Sequence, residues 1–200
     1  MDVDVNWRDY DTAALPRVLA GALGVFAEQG YHGASIRQIA ARADLSVPGL
    51  YHHYGSKQEI LVDLMLAVMG DLLGRSRGAL ASAGDGSLER LDALVESLLR
   101  FHMFRQEQAF VASSEIRSLL PENRSAYVAL RDEQQRMLED LITDGETEGV
   151  FATPSPREAA RAVSTLCVGV ASWYRQDGSM EVDEIVADYL VMVHGLLGHR

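Results

Sequence analysis

A serine-led spacing recurs between residues 35 and 59 and leaves the chain little freedom there. Ser35 is followed three positions on by Gln38, and Ser56 by Glu59, the arrangement in which two side chains satisfy the open amides of a helix's first turn. The stretch SIRQIAARADLSVPGLYHHYGSK therefore reads as two short helices and the start of a third. Ile36, Ile39 and Ala40 form the apolar face of the first, and Ala43-Asp44-Leu45 is the turn. Ser46 opens the second helix, with Pro48 tolerated in its first turn. A helix-turn-helix of this size lays its second helix in a DNA major groove.

Around this motif the chain reads as all-α. Ala and Leu dominate, no strand-like alternation of β-branched residues is visible, and 48% hydrophobic content in 200 residues supports a proper core. Apolar positions Val18, Leu19, Ala22, Leu23 and Phe26 predict a first helix from about Thr12 or Leu15 to Gln29, with Phe26 as the aromatic plug of a small three-helix unit. A long helix over 56–81 links this unit to the rest, and the Gly/Ser-rich break at 81–86 ends it. Further helices are expected over 87–104, 106–119, 123–148, 155–174 and 182–197, about nine in all. Ser155-Pro156-Arg157-Glu158 reads as another capping box. The resulting division is an N-terminal tail 1–11, a DNA-binding domain 12–57 with its linking helix 56–81, and a C-terminal domain 82–200.

The net charge of −11 is unevenly spread. Between residues 12 and 57, Arg17, Arg37, Arg42 and Lys57 face only Glu28 and Asp44, so the acidity belongs to the tail and the C-terminal part. Local positive charge is enough for a DNA surface, and an acidic body helps orient it. The single cysteine, Cys167, forms no internal disulfide, and the N-terminus lacks a signal-peptide pattern. The uncharged run 162–174 is 13 residues, too short to span a bilayer. A cytoplasmic protein with no membrane partner is the expectation.

The run VLAGALGVFAEQGYHGASIRQIAARADLSVPGLYHHYGSKQEILVDL, residues 18–64, resembles the N-terminal domain of TetR-type transcriptional regulators. The spacing AL-x-x-F-A-E-x-G-Y-x-x-A-S-I-R-x-I-A and the element LYHHYGSKQEIL carry the likeness. It implies a homodimeric repressor that leaves a palindromic, double-stranded operator when its C-terminal domain binds a small-molecule effector. Many family members have Gly at the motif's bend where this chain has Asp44, a residue that tolerates the left-handed conformation. RDEQQRMLEDLITDGETEGVF, with the later SWYR, is similar to an actinobacterial subgroup, some of whose members sense acyl-CoA thioesters.

On this resemblance the DNA-contacting set is Ser35, Arg37, Ser46, Val47, Pro48, Gly49, Tyr51, His52 and Lys57. Small residues allow close approach and thymine-methyl contact, polar tips reach phosphate, and Lys57 sits at a helix start where amides also favour phosphate. Adjacent His52 and His53 point about 100° apart on a helix and do not suggest a metal site. Effector-pocket candidates are Phe101, His102, Phe104, Phe110, Ser114, Met137, Trp173 and Arg175, with ordinary core packing as the alternative for each. Trp173 beside Arg175 suits an anionic ligand. The 155–174 helix is apolar nearly all round, so Val163, Leu166 and Val170 with Ile185, Tyr189 and Val193 form either a dimer seam or a core within one subunit. No cofactor is implied. An enzyme would have to rely on His102 with Glu107 or Glu115, and no nucleophile motif, phosphate loop or metal spacing accompanies them. The remaining rival is a hydrophobic-ligand sensor or carrier with a vestigial DNA domain.

Overall fold

The computed structural model describes residues 6–11 and 15–199. Its elements are α1 (Arg17–Gly33), α2 (Ile36–Arg42), α3 (Val47–His53), α4 (Lys57–Ser82), α5 (Ser87–Phe104), α6 (Gln106–Ser114), α7 (Pro121–Thr147), α8 (Pro156–Gly169) and α9 (Val182–Leu196). Short 3-10 turns follow α6 at Glu115–Ser118 and α8 at Val170–Ser172, and there is no strand among the described residues. Thr12, one expected start of α1, lies outside the described residues. The helix begins at Arg17 because a residue before proline disfavours the α region, which keeps Leu15 out of it. Pro16 then takes the cap position.

The chain divides into two compact units. One comprises 11–71 with 107–130. The other comprises 1–10, 72–106 and 131–200. In the first unit α1 buries Val18, Leu19, Ala22, Leu23 and Phe26, packs on α2, and α2 packs on α3. Phe26 and Ile39 are wholly enclosed, as is Leu50, which is α3's one buried residue. Gly30, at φ 68°, breaks α1 before a last turn to Gly33, a conformation only glycine adopts cheaply. Within the same unit Tyr127 Oη donates to Ala112 O at 2.7 Å, fastening α7's first turns to α6.

In the second unit α5 is central, packed by α8 and α9, and its Leu91, Leu94, Val95 and Leu99 are completely buried. α7 ends where Gly149 turns left-handed (φ 75°) and Phe151 folds back against Gly145. Two details depart from the sequence reading. Ser155 makes no side-chain cap, so the box with Glu158 does not form. Glu158 pairs with Arg161 at 2.8 Å instead, while Pro156 does occupy the first helical position. The helix expected to reach Tyr174 tightens into the 3-10 turn after Gly169, and its outer side (Arg161, Thr165, Val168) is exposed rather than covered.

α1 passes so close to the motif's turn that a Cβ on Gly21 would stand 3.0 Å from Ala43 N and 3.3 Å from Ile39 O. Both are backbone atoms and cannot swing away. Gly21→Ala is expected to destabilise the protein by about 1–3 kcal/mol, the usual range for overpacking, read as a lowered midpoint in chemical denaturation.

Candidate nucleic-acid interface

Local hydrogen bonding builds the motif. Ser35 Oγ accepts from Gln38 N at 3.3 Å, and Ser35 N donates to Gln38 Oε1 at 2.9 Å, closing the box that starts α2. At the bend Asp44 has φ 51°, the one positive φ among the described non-glycine residues. Leu45 N reaches back to Ala40 O at 2.9 Å across it, and Arg17 Nη2 donates to Asp44 O at 2.7 Å. Asp44 therefore does the work glycine does elsewhere, with a carbonyl held from α1. Ser46 Oγ accepts from Gly49 N at 3.1 Å and starts α3.

With Leu50 turned inward, α3 presents the rest of its surface outward. Pro48, Tyr51 (51% exposed), His52 and His53 are exposed, and Val47 and Gly49 are half-buried. The His52 and His53 rings meet edge-on at 5.7 Å. Arg37 projects from α2 into solvent. Arg42 is engaged by Glu28 in an exposed ion pair. Tyr54 is half-buried beside Asp63, and burial and that carboxylate both push its hydroxyl up from its ordinary pKa.

Lys57 is held by main-chain carbonyls. Its Nζ donates to Tyr31 O and Ala34 O, both at 2.6 Å, and lies 4.4 Å over the Tyr31 ring. Two of its three protons bind α1's end to α4's start, and desolvation lowers its pKa. Its primary work is structural, as α1's final carbonyls need a donor that the helix cannot supply. The second serine box is also rearranged: Ser56 Oγ caps Glu59 N at 3.1 Å, but the Glu59 carboxylate takes Gly55 N at 2.8 Å rather than Ser56's amide.

Residues 18–64 match the family model described as bacterial regulatory proteins, tetR family, and residues 84–197 match one described as tetracyclin repressor-like, C-terminal domain. The chain belongs to the TetR family. It is 28% identical over 176 residues to the HTH-type transcriptional repressor KstR2 of Mycobacterium tuberculosis, covering 87% of this chain and 88% of that protein. It is 30% identical over 193 residues to the HTH-type transcriptional activator FasR of Mycolicibacterium smegmatis, covering 92% and 82%. A solved tetR-family regulatory protein from Rhodococcus RHA1 superposes with a TM-score of 0.83 at 27% identity over 92% of this chain and 96% of that one. As a TetR-family member this chain is a DNA-binding transcriptional regulator.

The pocket candidates fall in both units, Phe110 and Ser114 in the first and the others in the second. Phe101 and His102 are buried in α5; His102 Nδ1 lies 2.7 Å from Leu98 O, and burial lowers its pKa, keeping the ring neutral. Phe104 stacks on Tyr10 at 4.8 Å, and Met137 is half-buried. Phe110 (55% exposed) and Ser114 are on the surface of the other unit. Trp173 is exposed, stacked on Tyr189 at 6.4 Å, while Arg175 is bound bidentately by Asp177. The expected stacking ring and guanidinium are therefore separately engaged. Cys167 is buried and its thiol is pushed up to about 12 by desolvation, which makes it unreactive at neutral pH.

The expected seam also needs correction. Val163, Val170, Val193 and Ile185 are at most 1% exposed within the single chain, packed among α5, α8 and α9, so they are core. Leu166 and Tyr189 are half-buried. The outward residues are Val168, Val191 (71% exposed), Met192 and Leu196. The sequence carried a signal for this, since α9 is apolar on two faces and one face of a helix suffices to meet α5.

Two substitutions separate contact from scaffold. Tyr51→Ala removes an exposed ring and should weaken operator binding about tenfold, a loss of about 1.4 kcal/mol, with the melting temperature unchanged. Lys57→Ala should lower stability by about 1.5–3 kcal/mol, the range for hydrogen bonds to a charged group. A melting curve and fluorescence anisotropy on each variant distinguish them.

Proposed function

We propose that the protein is a homodimeric repressor released from a palindromic operator by a hydrophobic small-molecule effector, an acyl-CoA thioester. The observation that carries the reading is the exposed outer surface of α3, capped by Ser46 and backed by Leu50, on a chain with a second, independently cored unit. In this reading Pro48, Val47 and Gly49 approach base edges, while Tyr51, His52 and Arg37 serve phosphates. Ser35 and Ser46 hold the two helices in register and lie near the backbone of the duplex.

α4 runs unbroken for 26 residues, about 39 Å, with its start in one unit and its end in the other. Effector binding beside its C-terminal half shifts the population toward dimers whose α3 helices no longer match grooves about 34–36 Å apart. The solved KstR2 of Mycobacterium tuberculosis, 26% identical with a TM-score of 0.81, is a ketosteroid transcriptional regulator, which supports a hydrophobic effector here. The neutral His102 and aromatic Phe101 and Phe104 of α5 suit the apolar acyl chain of an acyl-CoA thioester rather than its charged nucleotide end. The second copy covers the apolar face of Val168, Val191, Met192 and Leu196.

A gel shift with DNA flanking the protein's own coding region, with and without added acyl-CoAs, tests the reading. A shifted palindromic fragment released by a thioester supports it. Binding that no acyl-CoA alters removes that effector class, and an absence of any shift favours a sensor or carrier with a vestigial DNA domain. Val191→Asp should convert dimer to monomer in analytical ultracentrifugation, because an exposed carboxylate in the seam would be desolvated without a partner.

A further inference from the structure

The acidic N-terminus is expected to be a tail, yet residues 7–10 are packed on α4 and α5 within the second unit. Trp7 is 4% exposed; its Nε1 donates to Ser82 Oγ at 3.0 Å and its Cβ lies against Gly78 of α4. Arg8 forms a two-pronged pair with Glu96 of α5, Nε to Oε1 and Nη2 to Oε2, both 2.8 Å. Burial opposes the charge on Glu96, but hydrogen bonds from Arg8 and Arg100 hold its carboxyl below the ordinary range. The ring of Tyr10 stacks on Phe104, and Arg105 Nη2 donates to Tyr10 O at 2.9 Å.

Arg75 is the centre of this arrangement. It projects from the C-terminal half of α4, is 3% exposed, and donates Nη1 to Trp7 O at 2.9 Å and Asp9 O at 2.8 Å, with its guanidinium 3.8 Å over the Tyr10 ring. A guanidinium does not shed its proton, so it tolerates burial only with oxygen partners. Docking of the 7–10 segment thus supplies two of the oxygens that Arg75 meets and links the segment to α4's C-terminal half. Both lead into the DNA-binding motif. α4 continues to Lys57, and Tyr10 is seven residues from the start of α1 at Arg17, a tether that spans at most about 25 Å. The chain crosses between the units at 10–11, 71–72, 106–107 and 130–131. The last three crossings lie inside α4, α6 and α7, and only the first lies outside a helix.

We propose that residues 7–10 form a latch that controls operator affinity. Docked on Arg75, the latch restrains the start of α1 and pre-organises the DNA-binding helices. A shift of α4's C-terminal half withdraws the guanidinium, frees the segment and relaxes that restraint. This deepens the regulator reading and rests on it. The sequence signal was present: a lone Trp in an acidic stretch, and an arginine within an apolar helix.

Hydrogen–deuterium exchange on the full-length protein tests the latch without an effector. Arg8→Ala removes an ion pair whose arginine is half in solvent and so leaves the fold standing, while Trp7→Ala/Arg8→Ala frees the segment fully. The expected result is at least tenfold faster exchange in α1–α3 for the double variant, a smaller rise for Arg8→Ala, and a near-normal pattern for Arg8→Lys. Affinity for the DNA fragment upstream of the protein's own coding region should fall about tenfold in the double variant. Faster exchange confined to residues 6–11 and the adjoining turns of α4 and α5, with α1–α3 unchanged, overturns the proposal. Should the unaltered protein bind none of that DNA, the regulator reading fails separately, and the exchange pattern still decides whether the segment restrains the motif.

Discussion

The DNA-binding unit is closed by one ammonium group. Lys57 joins the carbonyls of Tyr31 and Ala34, at the end of α1, to the first residue of α4, over the face of the Tyr31 ring. Without a donor there, α1 would end on unsatisfied carbonyls just before the Ser35 cap. The position of α3 follows from this closure. α2 and α3 have 7 residues each, too short to be stable alone, and owe their order to α1 beneath them. Gly21 admits the bend, Phe26 fills the centre, and Arg17 holds the carbonyl of left-handed Asp44.

A buried cation has a comparable place in the other unit. Arg75 sits in a helix otherwise rich in Leu, Met and Ala, and main-chain oxygens of a distant segment are among the partners that meet its charge. Charge therefore acts in two ways. At Arg37 it is left in water, where it is available to phosphate. At Lys57 and Arg75 it is spent on carbonyls and fastens chain segments together. A census of basic residues along the sequence counts all three alike.

The elements whose form depends on neighbours within one turn were legible. The Ser35 and Ser46 caps, the Asp44 bend, the break at Gly30 and the burial of Phe26 and Leu50 all follow from spacing. The Ser155 box was a false signal because the motif is permissive, and a nearby Arg161 competes for Glu158. For the candidate site, the outward residues of α3 were readable because a short helix with one large aliphatic residue has one inner face. Spacing does not sort the effector-pocket candidates, because aromatic and Met residues at helical spacing serve core, surface and cavity alike.

By itself the sequence determined the helices, their caps and the helix-turn-helix, since these obey rules that act over three or four residues. Its forty-odd matching residues at the N-terminus also determined the family. Only the tertiary structure decided which face of α8 and α9 is core, that Lys57 is a fastener, and that residues 7–10 are docked. Those outcomes rest on contacts between residues far apart, such as Arg75 with Trp7 across 68 positions and Arg8 with Glu96 across 88. Local pattern carries no record of such partners, because burial is a property of the assembled unit and not of the segment.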